Sequence, residues 1–192
     1  MNTIIPERLA EIAGLRLKKG SHEKQKNAHE MCVMELFSYV SGEPWRHTPI
    51  CACPVITTFL VGWNDTLEDE DRVRLLRPLI PLIVGTRHNN NLAERRSYMA
   101  LDWLIRTNLP TWLGMVPALH SHGVSLREMN EISDITGAVA AGVKVNAALA
   151  VAGDAEWEAA WAAVGGPALN HTIARLQASA VDLVKRMCEV RP

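Results

Sequence analysis

Hydrophobic residues in this chain recur mostly at helical spacing. The clearest run is Leu169, Ile173, Leu176, Ala180, Leu183 and Met187, separated by four, three, four, three and four residues. That is an a/d seam, and it predicts a helix packed in a bundle or across a dimer. A second helix is predicted from Ser21 to about Ser41. Ser21 suits its N-cap, Glu23 the positive end of its dipole, and Gly42 the glycine position just past its end. On a helical wheel Cys32, Leu36, Val40, Val33 and His29 share one apolar arc, with Glu35 near its border. Pro6 to Leu17 carries a shorter pattern that Gly20 breaks.

Prolines and acidic residues punctuate the middle of the chain. Pro54 falls at an N1 position and opens a helix with Val55, Ile56, Phe59, Leu60 and Trp63 inward. Asn64-Asp65-Thr66 ends that helix and caps the next, whose first turn, Glu68-Asp69-Glu70-Asp71, complements the dipole. Pro78 and Pro81 divide this next helix into short pieces before Gly85. From Leu92 to Thr107 the apolar residues wrap nearly all round, leaving Arg95, Asp102 and Arg106 as a narrow polar stripe; such a helix is usually central. Pro110 and Pro117 bound a short helix at Trp112 and Leu113. Ile135 to Val151 forms another, in which the small residues Gly137, Ala141 and Gly142 invite a second helix to approach. Asp154 caps a short helix bearing Trp157, Ala160, Trp161 and Val164. No stretch alternates like a strand. The pattern predicts an all-α fold of about eight helices. It forms a single domain over residues 1–192, with the candidate site in 1–123 and Ala-rich helices over 125–190.

Composition narrows the picture. Hydrophobic residues make up 48%, charged residues 21%, and the net charge is -1, so electrostatic recognition must be local. No run reaches the ~20 apolar residues of a membrane span, and no secretory signal pattern opens the chain. Cys32, Cys51, Cys53 and Cys188 read as reduced thiols of a cytoplasmic protein.

Three features could carry chemistry. His29, Cys32, Cys51 and Cys53 together form a soft donor set of the kind that takes zinc. A single residue between Cys51 and Cys53 is short for a zinc pair, so packing as small buried hydrophobes is favoured and no cofactor is expected. The loop residues Trp45, Arg46 and His47, between Pro44 and Pro49, form either a stiff presenting surface beside Glu35, suited to a ligand or a protein partner, or a loop whose Trp45 folds inward to plug the core. Finally, seven arginines, Arg72, Arg74, Arg77, Arg87, Arg95, Arg96 and Arg106, face only Glu94 and Asp102 between positions 72 and 106. Lys18, Lys19, Lys24 and Lys26 add a second basic cluster. Phosphate recognition would use such arginines. Pairing with Glu68 to Asp71 is favoured over nucleic acid, given the near-zero net charge. His120-x-His122 reads as a surface loop. No phosphate loop, nucleophile elbow or zinc-protease motif is present.

Several short runs resemble a family of uncharacterised proteins from actinobacteria and their phages. They include Gly20-Ser21-His22, Cys32-Val33-Met34-Glu35, Gly42-Glu43-Pro44, Cys51-Ala52-Cys53-Pro54-Val55-Ile56, Trp63-Asn64-Asp65, Leu101-Asp102-Trp103-Leu104 and Leu176-Gln177-Ala178-Ser179-Ala180. The resemblance covers most of the chain and implies a bacterial or phage cytoplasmic setting and an accessory role, with no activity to carry over. The sequence thus favours a non-enzymatic helical interaction protein that binds a protein partner or itself. The alternatives are a metal- or small-ligand-dependent enzyme centred on Cys32, Glu35, Cys51 and Cys53, and a nucleic-acid binder using Arg72 to Arg106.

Overall fold

The computed structural model describes residues 4–20, 30–46, 48–151 and 167–191, and their regular structure is helical apart from one short parallel pairing. The helices are α1 (Pro6–Glu11), α2 (Val33–Ser41), α3 (Pro54–Thr66), α4 (Asp69–Leu76), α5 (Ile80–Ile83) and α6 (Asn90–Trp103). Then come α7 (Leu109–Leu113), α8 (His120–Arg127), α9 (Ile135–Val151) and α10 (Pro167–Glu189). β1 (Arg16–Leu17) pairs in parallel with β2 (Glu30–Met31). The chain packs as two compact units, Met1–Arg96 with Val184–Pro192, and Ser97–Leu183. The short helix expected after Asp154 lies outside the described residues.

In the first unit the second predicted helix starts later than its apolar arc suggests. Its N-cap is Cys32, in extended conformation, and Val33 is the first helical residue. The Cys32 N–H donates to Glu35 Oε2 at 2.8 Å, and the Cys32 sulfur accepts from the Glu35 N–H, completing a capping box. Once Cys32 caps, the residues before it are free to extend, and Glu30–Met31 pairs with Arg16–Leu17 instead of coiling. The pattern over Pro6 to Leu17 likewise divides into α1, a 3-10 turn at Ile12–Gly14 and β1. Gly42, at φ 78, closes α2 as a left-handed C-cap that other residues adopt only with strain.

Pro54 opens α3 at N1, and Asp69, Glu70 and Asp71 occupy the first turn of α4, both as the sequence predicts. The cap of α4 is Glu68, however, not the Asn64-Asp65-Thr66 run, and Asn64 is buried within α3. Pro78 and Pro81 reduce the continuation to a 3-10 turn and the four-residue α5.

The second unit is built round Ile105, Leu113, Leu119, Leu126, Ile132 and Ala141. Between α6 and α7 the backbone widens into a π segment, Leu104–Asn108, and the Leu109 N–H reaches back to the Leu104 carbonyl. Pro110 accounts for it. Proline has no N–H to give, and its ring crowds the carbonyl four residues back, that of Arg106. In α8, Gly123 lies against α7: a Cβ there would stand 3.1 Å from the Pro110 carbonyl oxygen and 3.3 Å from Leu113 Cβ. His120 and His122 sit in the first turn of this helix rather than in a loop, and a two-residue offset turns them to opposite sides. The α10 seam is buried at Leu176, Ala180, Leu183 and Met187.

Candidate functional site

The loop between α2 and α3 is tied down at several points. Ile50 N–H donates to Glu43 Oε2 at 2.8 Å, the Ser38 hydroxyl to the Arg46 carbonyl at 3.3 Å, and Gly85 N–H to the Cys51 carbonyl at 2.8 Å. Cys53 caps α3, and its N–H donates to Thr86 Oγ1 at 3.0 Å. Trp45 and Arg46 are half-buried, so this surface is partly folded inward. His47 and His29 lie outside the described residues. Glu35 is fully buried and engaged in the capping box.

The cysteines are not gathered at one point. Cys32 marks the start of α2. The Cys51 thiol donates to the Phe37 carbonyl at 3.7 Å and lies beside Ser41 and Glu43, toward the other end of that helix. Five residues of helix separate Cys32 from Phe37, roughly 7–8 Å of axial rise. Zinc holds each sulfur at about 2.3 Å. Cys53 is an electrostatic neighbour of Cys188 on α10. Among the described residues, no group of three or more His, Cys, Asp and Glu is placed to hold a metal ion. Burial pushes the Cys32 thiol up to about 12, Cys51 to about 11 and Cys188 to about 12. These are protonated packing groups at neutral pH, unlike the low-pKa thiols that act as nucleophiles.

Five of the seven arginines in the basic stretch are engaged within the fold, while Arg87 and Arg95 are exposed. Arg72 and Arg96 are fully buried. Arg72 donates to the carbonyls of Asn64, Leu17 and Leu67 and pairs with Asp69 at 2.6 Å. Arg96 donates to the carbonyls of Thr86 and Met187 at 2.8 Å each and of Val190 at 3.3 Å. It thereby satisfies one orphan carbonyl in the last turn of α10 and one just past its end. Arg74 pairs with Asp71 at 2.6 Å, Arg106 with Asp102 at 3.0 Å, and Arg77 donates to the carbonyls of Ala13 and Leu15. The guanidinium forks of Arg72, Arg77 and Arg96 thus hold backbone carbonyls, and those of Arg74 and Arg106 hold carboxylates.

The second unit exposes an apolar helix face. On α9, Ala141 and Ala148 face the core, while Ile135, Val139, Val143 and Leu149 are 66%, 62%, 67% and 64% exposed. These four fall within an arc of about 120° that also carries Gly142, Asn146 and Ala150 and no charge. A Cβ on Gly142 would meet nothing within 4 Å. Lys144, on another side of the helix, is tethered to Ser125 Oγ at 2.6 Å. The sequence pointed to Gly137, Ala141 and Gly142 as small residues, but only Gly142 faces outward into open space; Ala141 belongs to the core of its own unit. The signal for this face was present in the chain, in valines and leucines placed where an amphipathic helix would carry polar residues. Scans against protein-family models, curated proteins and solved structures find no match to this chain.

Proposed function

We propose that the protein is a non-enzymatic interaction protein that acts by self-association through the outward face of α9. The observation that supports this is the uncharged apolar arc of Ile135, Val139, Val143 and Leu149 on a helix whose opposite side already serves the core. Singly exposed apolar residues are normal, but four on one arc need cover. The arc also suits a second copy of itself. Gly142 lies next to the midpoint of the helix Ile135–Val151. A two-fold axis at Gly142 would bring the two backbones close, with Ile135 of each copy opposite Leu149 of the other. Such an isologous interface needs no charge to set its register. An accessory role of this kind accords with the resemblance to the actinobacterial and phage family.

Native mass spectrometry across a concentration series tests it. The wild-type chain should give a dimer, and the Val139→Glu/Val143→Glu double variant a monomer with an unchanged helical circular dichroism signal. A wild-type monomer throughout the series, or a dimer that survives both glutamates, overturns the proposal.

A further inference from the structure

We draw no further inference here: the strongest candidate, the pair of buried thiols formed by Cys53 at the N-cap of α3 and Cys188 near the end of α10, rests on the raised pKa of Cys188 alone, with both sulfurs packed in the core.

Discussion

Buried thiols make the stability of this protein sensitive to alkaline pH. In the unfolded chain a cysteine titrates near its ordinary value, about 8.5. In the fold, burial raises Cys51 to about 11 and Cys32 and Cys188 to about 12. Between these values the unfolded state has lost protons that the folded state keeps, so the stabilisation present below pH ~8.5 falls as pH rises. Urea midpoints should therefore be flat from pH 7 to 8 and decline steadily from about 9 to 11. A thiol reagent should label the native protein slowly at pH 8, and rapid native labelling of Cys51 would contradict its burial. Arg96 gives a second test. Lysine keeps the charge but not the fork that reaches Thr86, Met187 and Val190. Arg96→Lys should cost about 1–3 kcal/mol in denaturant unfolding, as buried carbonyls lose their donors. The sequence shows the residues of this region but not their roles. Cys32-x-x-Glu35 has capping-box spacing, yet a sulfur in place of the usual hydroxyl let it pass as part of an apolar arc. Arg72 and Arg96 read as surface because arginine is rarely buried. Their carbonyl partners, up to 94 residues away in the chain, leave no local trace.

Local signals carry most of the elements. Proline at N1, the acidic first turn of α4, the glycine after α2 and the start of α9 are all set within a few residues, and all are where the pattern places them. What the pattern misses is set from a distance or by backbone geometry. The pairing of Arg16–Leu17 with Glu30–Met31 spans only two residues on each side, too few to show alternation. The π segment before Pro110 follows from a steric clash that hydrophobic periodicity does not register. Two substitutions test the packing. Leu176 is 7% exposed in the α10 seam, and Leu176→Ala should destabilise by ~2–5 kcal/mol. At Gly123, a methyl would press on the Pro110 carbonyl, which cannot yield as a side chain would. Gly123→Ala should cost about 1–3 kcal/mol, outweighing alanine's better helix propensity. A neutral result there would mean that α8 can slide from α7 without loss.

For the molecule as a whole, charge and exposed apolar surface point the same way. The net charge is -1, and Arg72, Arg74, Arg77, Arg96 and Arg106 are engaged with backbone carbonyls or carboxylates of the fold. Among the described residues no helix is long and apolar enough to cross a membrane, so the apolar arc of α9 is not part of a described span. Self-association through that arc has a consequence for stability that does not depend on detecting the dimer directly. If the folded chain dimerises and the unfolded chain does not, mass action adds stability as concentration rises. The melting temperature should then climb with protein concentration over two or three decades. In Val139→Glu/Val143→Glu it should not, because those side chains are 62% and 67% exposed and contribute little to the core of their own unit. Gly142→Leu separates close backbone approach from general stickiness. It adds apolar surface in open space, so a loosely sticky face would associate more strongly. If the helices cross at Gly142, the leucines collide and the concentration dependence disappears. Stronger association of Gly142→Leu would place the interface elsewhere on α9 and rule out the two-fold crossing at Gly142.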